Sequence, residues 1–280
     1  MVRAIASMFV LLTTLSWTSA SAQGGDPHPF DYEILEARPF LAVDYGMATP
    51  SFDGSSFDFE TIGLLEFKLG YGALDSTRSS IVSLMESYIF FSMANPGLGS
   101  SGGGSDVGSE FNRFGLGSRF GYGYQGKSMG LDLYNQNSLN WTEFTASEYD
   151  AANPEAQAIF DRYGSKYRFG HIMESGADLR VTSSMAVAIG AEGAIVYPRT
   201  VFWPWFGSIF LYSAMQGVVE FFADEVVEAS PGIGPVVYFL LKTGVSAGYY
   251  FASQSDMNWP FDSETPVTIG SLKIGATFTF

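Results

Sequence analysis

The chain has 280 residues, no cysteine, and 29 acidic against 14 basic residues, which gives a formal net charge of −15. The absence of cysteine excludes disulfides and a lipid-anchored cysteine, and the negative charge argues against nucleic acid as a partner, because phosphates would repel it. The 25 Phe, 15 Tyr and 32 Gly, with only 15% charged residues, are an unusual composition for a soluble protein.

The amino-terminal stretch has the parts of a secretory signal peptide. Arg3 provides a basic start, an apolar run extends from Met8 to Leu15, and small residues stand at Ala20 and Ala22. This apolar run is too short to span a membrane, which argues against a retained anchor. We therefore predict a signal peptide over residues 1–22, export of the protein, and a single domain over residues 23–280.

Apolar and polar residues alternate along much of the exported chain, as expected for β-strands. In DFETIGLLEFKLGYGA, Phe67 and Leu69 share one face and Glu66 and Lys68 share the other. A soluble sandwich also alternates, but here the apolar face is rich in aromatics and the polar face combines glycine with full charges, which is typical of a membrane barrel with a polar lumen. The pattern predicts strands near residues 33–47, 57–74, 79–94, 110–125, 127–140, 165–182, 184–200, 208–223, 235–253 and 266–280.

The predicted connections alternate in length. The short links LDSTRSS, Gln125–Lys127 and VTSS alternate with long polar segments such as MATPSFDGSS and SQSDMNWPFDSETP. Short turns at one end and long loops at the other are typical of outer-membrane barrels, which have an even number of strands. Within the insert at 141–165, PEAQAIFDRYG predicts a short surface helix that begins at Pro154 and ends at Gly164.

The segment near residues 205–229 allows two interpretations. As a strand, it completes a barrel of ten. As an amphipathic helix, it places Gln216, Glu220, Asp224 and Glu228 on one polar stripe, ends at SPG, and leaves eight strands. We therefore predict an all-β fold, an antiparallel transmembrane β-barrel of 8–10 strands, with a helix near 205–229 as the alternative to a strand.

Fourteen charged residues have the alternation expected of the barrel interior. An unpaired charge there would cost several kcal/mol, so we expect these groups to form ion pairs in a largely filled lumen. The alternative is a small-solute, porin-like channel lined by the same charges. The predicted lumen network, with seven acids and seven bases, comprises Glu60, Glu66, Lys68, Glu86, Arg113, Arg119, Asp132, Arg168, Glu174, Asp178, Arg180, Glu192, Lys242 and Lys273.

The evidence for catalysis is weak. His171 and Ser175 share the lipid-facing parity of one strand, which raises a lipid-modifying enzyme as a further alternative. Residues four apart on a strand are, however, about 13 Å apart, too far for a base to activate a hydroxyl. The acids in DGSSFDFE and in SDMNWPFDSE lack the spacing of an EF-hand calcium site. We predict no enzyme activity, no metal and no cofactor.

The carboxyl terminus, SLKIGATFTF, carries the most specific signal. Leu272, Ile274, Ala276, Phe278 and Phe280 alternate along it, and the last is the terminal residue. On this tail, the signal peptide and the strand alternation, the chain resembles bacterial outer-membrane β-barrel proteins of the small outer-membrane-protein-A/X type, without a specific family.

The resemblance implies that these five residues are the recognition signal for the barrel-assembly machinery, with periplasmic chaperones and outer-membrane lipid as further partners. We expect a monomer in the bacterial outer membrane with a structural or surface-interaction role. A soluble, secreted β protein is the rival class.

Overall fold

The computed structural model describes residues 37–78, 81–101, 107–147, 153–164 and 166–280. Eight antiparallel strands close into one barrel in sequence order. They are β1 (Arg38–Phe52), β2 (Thr61–Arg78), β3 (Ile81–Ser101), β4 (Ser109–Gln125), β5 (Gly130–Ala146), β6 (Arg168–Thr182), β7 (Met185–Val196) and β8 (Val267–Thr279), joined by helices α1 (Pro154–Tyr163), α2 (Phe202–Ala229) and α3 (Gly234–Ala252). The predicted barrel is confirmed, with eight strands and not ten. The predicted signal peptide lies outside the described residues.

The last strand closes the barrel. β8 pairs with β1 on one side and with β7 on the other, so that Ile274 lies between Tyr45 and Ile189. The backbone N–H of Phe280 donates to the carbonyl of Pro39 at 3.0 Å. Because both edges of β8 are paired, the closed sheet leaves no row of open backbone groups.

Side chains alternate between the interior and the outer wall, as the sequence predicted. On β2, Glu66 and Lys68 are buried, whereas Phe67 and Leu69 are exposed. The links from β2 to β3, β4 to β5 and β6 to β7 are short and define the short-turn end of the barrel. The longer connections lie at the opposite, long-loop end.

Glycines on β4 make room for aromatic rings inside the barrel. A Cβ at Gly115 would lie 2.1 Å from the carbonyl oxygen of Leu139 and 2.7 Å from the ring of Phe90. A Cβ at Gly117 would lie 2.5 Å from the hydroxyl of Tyr88. The alternating glycines of RFGLGSRFGYGY therefore match the larger side chains of the neighbouring β3.

Helix α1 confirms the surface helix predicted from PEAQAIFDRYG, and its inner face packs onto the barrel interior. Asn153 caps it by accepting from the N–H of Ala156 at 3.1 Å. Ile159 and Tyr163 are buried with apolar residues of the barrel interior, and Tyr163 Oη accepts from the N–H of Val267 at 3.0 Å. Burial raises the pKa of the Tyr163 phenol, which stays neutral. The helix thus covers the mouth of the barrel at the long-loop end.

The predicted strands at 208–223 and 235–253 are wrong, because both segments are helical. α2 and α3 form an antiparallel hairpin that packs against the outer wall of β4 to β7. The polar stripe predicted for a helical α2 is present, and its first member, Gln216, is buried. Valine, tyrosine and phenylalanine favour strands in water but are also compatible with membrane helices, so local composition does not separate the two states.

Candidate functional site

Seven charged side chains meet in the middle of the barrel interior. They come from six of the eight strands and are all nearly fully buried. We call this set the central cluster: Asp44, Glu66, Lys68, Arg113, Glu174, Glu192 and Lys273.

Lys273 binds three carboxylates of the central cluster. Its Nζ lies 2.8 Å from Glu66, 2.5 Å from Glu174 and 2.7 Å from Glu192. The oxygens of these three glutamates lie within 4.8 Å of one another, a grouping that could hold a metal ion. The Lys273 ammonium makes ion pairs with all three, so a cation of the chain itself lies among these carboxylates.

Arg113 of β4 binds two of these three carboxylates, those of Glu66 and Glu192. Its guanidinium forms a bidentate pair with Glu192, at 2.6 and 3.0 Å, and a further bond to Glu66 at 3.0 Å. Its Nε donates to Ser92 Oγ at 2.7 Å. Such charge-assisted, bidentate bonds are among the strongest in proteins, so the side chain is held in one orientation.

Lys68 joins Asp44 to the cluster. Its Nζ lies 2.9 Å from Asp44 and 3.2 Å from Glu66. Sequence reasoning missed Asp44, because its inward neighbours Phe40 and Ala42 are apolar and hid the interior parity of β1. The position of Asp44 directly opposite Glu66 in the sheet register is the signal that could have found it.

A second group, the short-turn cluster, lies nearer the short-turn end. Arg119 pairs with Asp178 at 2.8 Å and with Glu86 at 3.3 Å. Arg180 binds both carboxylate oxygens of Asp132, at 2.6 and 3.0 Å. Four of these five residues, Glu86, Asp132, Asp178 and Arg180, line a cavity of about 670 Å³ together with residues at the strand ends. No member of the central cluster lines this cavity.

The structure places eleven of the fourteen predicted lumen residues in these two clusters. The other three lie outside both clusters. Glu60 precedes β2 and its N–H donates to Val107 at the long-loop end. Arg168 is at the outer end of β6 and donates to the carbonyl of Arg162. Lys242 is on α3, outside the barrel, because its segment is a helix.

With Asp44 included, the two clusters contain seven acids and only five bases, so the predicted equality of charges inside the barrel does not hold.

A second polar arrangement lies on the outer wall, under the helical hairpin. Tyr212 of α2 donates to Asn137 of β5 at 2.6 Å, and Gln216 donates to Tyr212 at 3.0 Å and to Ser246 of α3 at 2.9 Å. Nearby, Asn135 donates to Ser175 of β6 at 2.8 Å and to Thr243 of α3 at 2.9 Å. We call this set the polar seam: Asn135, Asn137, Ser175, Tyr212, Gln216, Thr243 and Ser246.

The polar seam explains why polar residues occur at positions of lipid-facing parity. His171 is only 3% exposed, and its ring contacts Tyr212 and Tyr249 with centroids 5.5 and 6.2 Å away. Ser175 bonds Asn135 instead of His171. Among the described residues, the hydroxyl of Ser175 therefore bonds an amide and not a base, and the hairpin buries His171.

Charged residues of the hairpin also bind groups on the barrel or on the other helix. Lys242 Nζ lies 3.1 Å from Glu220 Oε2, and Tyr122 of β4 donates to Asp224 at 3.0 Å. At the long-loop end, Glu264, one of the acids considered for calcium, pairs with Arg162 and Arg199. The acidic stripe of α2 thus binds groups on the barrel and on α3.

Comparisons with known proteins give likeness in fold only. No protein-family model and no curated protein matches the sequence. Among solved structures, the chain is similar to Neisserial surface protein A (10% identity, TM-score 0.39, covering 86% of this chain and 97% of that one) and to the outer membrane enzyme PagL (10%, 0.40, 86% and 99%). It is also similar to Ail, the attachment invasion locus protein of Yersinia pestis (8%, 0.32, 88% and 99%).

Proposed function

We propose that the protein is an integral outer-membrane β-barrel whose lumen is closed by its own ion pairs and whose role is structural or surface-interactive. Support comes from the closed sheet and from the apolar outer wall, where Leu69, Ile89, Ile189 and Leu272 are each more than half exposed. Such a wall is expected to face lipid, because soluble proteins seldom expose large contiguous apolar surfaces.

The central cluster is the observation that supports a closed lumen. Glu66 of β2 reaches the middle of the barrel, where it forms ion pairs with Arg113 of β4 and with Lys273 of β8. Separating these groups for passage of a solute would leave desolvated charges in a low-dielectric interior, at a cost of several kcal/mol per ion. Eight strands also leave an interior just wide enough for side chains.

The two ends of the barrel differ in a way that suggests its orientation. In outer-membrane barrels the short turns face the periplasm and the long loops face the exterior. The long-loop end here is covered by α1, and Ser56 of the β1–β2 loop binds Glu155 of that helix. We propose that this covered, acidic face is the surface available to extracellular partners, and that the terminal residues up to Phe280 serve recognition by the barrel-assembly machinery.

Planar-bilayer recording tests the closed lumen. Purified wild-type protein should give no stable single-channel steps under conditions where a large general porin does. The combined variant Arg113→Ala, Glu192→Ala, Lys273→Ala shortens the crossing side chains, and we expect it to leak. Stable, reproducible steps from the wild type would instead favour the small-solute channel.

A further inference from the structure

The helical hairpin has an apolar face that is turned away from the barrel. On α2, Trp203, Phe210, Val218 and Phe221 are 58–77% exposed, and on α3 Leu240 is 60% exposed. Tyr212 and Gln216 of α2 and Thr243 and Ser246 of α3 point the other way, into the polar seam. This is the reverse of an amphipathic helix on a soluble protein, which turns its polar face outward.

The length of the apolar part of α2 matches a membrane. Residues 202–219 contain no Asp, Glu, Lys or Arg, and 18 residues of helix span about 27 Å. The apolar band of an outer-membrane barrel is about 25 Å tall. Among the described residues, α2 is the helix that is long and apolar enough to cross a membrane by length and composition.

Charged residues lie at both ends of this apolar part of α2. Before α2, Arg199 pairs with Glu264 at the long-loop end. After residue 219, Asp224 binds Tyr122 of β4, and the turn that follows accepts a hydrogen bond at Gly232 from Tyr124, next to the β4–β5 turn. The helix therefore runs the full height of the barrel wall, from the long-loop end to the short-turn end.

α3 returns along the wall in the opposite direction. Near its start, Tyr238 contacts Tyr122 of β4, and in its middle Thr243 accepts a hydrogen bond from Asn135 of β5. Near its end, Tyr249 contacts His171, which lies towards the long-loop end of β6. Its one charged residue, Lys242, is 8% exposed and pairs with Glu220 of α2. The charge of Lys242 is thus paired between the two helices, as charged residues in membrane helices usually are.

We propose that the hairpin crosses the outer membrane beside the barrel and that the acyl chains of the bilayer cover its exposed face. The inference rests on the proposed membrane location of the barrel. Three observations support it. The exposed face of the hairpin is continuous with the apolar wall of the barrel, its height matches that wall, and every polar seam residue on the opposite side is buried or half-buried. The protein would then span one membrane with both strands and helices.

Because the chain has no cysteine, single-cysteine variants test this directly. Phe210→Cys, Val218→Cys and Leu240→Cys sample the two helices of the hairpin. Leu69→Cys and Ile274→Cys sample the barrel wall, and Asp53→Cys is an exposed loop control. In liposomes, a membrane-impermeant maleimide should label the hairpin and wall positions at least roughly tenfold less than the loop, because the reagent needs a hydrated thiolate. Nitroxides at the protected sites should be relaxed by oxygen and not by a water-soluble nickel chelate.

The possible outcomes separate the inference from the proposed function. Labelling of the hairpin with a protected wall would overturn the inference and leave the barrel in the membrane. Labelling of both would overturn the membrane barrel itself. Efficient disulfide cross-linking between copies through Val218→Cys at high lipid dilution would show that a second copy covers this face instead of lipid. Three hairpin positions guard against a single variant that fails to fold.

Discussion

Removing the Arg113 side chain should destabilise the barrel strongly. Arg113 is fully buried and makes four hydrogen bonds, two to Glu192, one to Glu66 and one to Ser92. In Arg113→Met, Glu192 keeps only its ion pair with Lys273 at 2.7 Å. Breaking a buried ion pair by removing one partner typically costs about 3–5 kcal/mol, so we expect a loss in that range.

Urea unfolding in lipid vesicles, followed by tryptophan fluorescence, would measure this loss as a shift in the unfolding midpoint. Arg199→Met is the matched control, since Arg199 is 66% exposed and its pair with Glu264 should contribute at most about 1 kcal/mol. Arg113→Met combined with Glu192→Met should cost less than the sum of the two single variants, because neither charge is then left alone. A loss below about 1 kcal/mol for Arg113→Met would refute the idea that the central cluster is a tight, desolvated network.

Three further predictions concern the wall, the sheet and the terminus. Tyr212→Phe leaves Asn137 without this donor, so the free energy of unfolding in vesicles should fall by about 1–3 kcal/mol. Tyr124→Phe is the control, because it removes an exposed hydrogen bond and should lower the free energy of unfolding much less. Gly115→Ala forces a Cβ to within 2.1 Å of a backbone oxygen, so its unfolding midpoint should fall clearly; an unchanged midpoint would contradict the close approach. Deleting Phe280 should lower the yield of protein assembled in the membrane more than it lowers the stability of the refolded barrel, and equal yields in pulse-labelled cells would contradict a recognition role.

The strands could be predicted because the barrel imposes one strict rule along each of them. Inside and outside alternate at every residue, and β2 shows this plainly in Glu66, Phe67, Lys68 and Leu69. Where the interior is apolar, as at Phe40 and Ala42 on β1, the contrast between the two faces disappears. Asp44 was missed for this reason, although it is part of the central cluster.

The hairpin could be predicted only in part, because its polar side chains form hydrogen bonds with residues that are distant in the chain. The four-residue spacing from Gln216 to Asp224 is a helical signal that the sequence carries openly. In α3, the helical spacing of the buried Tyr238, Lys242, Ser246 and Tyr249 is masked by neighbouring valine, tyrosine and phenylalanine, which also favour strands. Likewise, Asn135 and Ser175 at lipid-facing positions make sense only once a helix covers them.

Electrophoretic mobility tests the membrane barrel most directly. Protein extracted with detergent from the outer-membrane fraction should migrate differently in unheated and boiled samples, because a closed sheet with no open edge resists the denaturing detergent until it is heated. Arg113→Met should keep this shift but lose it at a lower temperature than the wild type. Identical mobility of unheated and boiled wild-type protein, or its absence from the outer-membrane fraction, would contradict a membrane-spanning barrel.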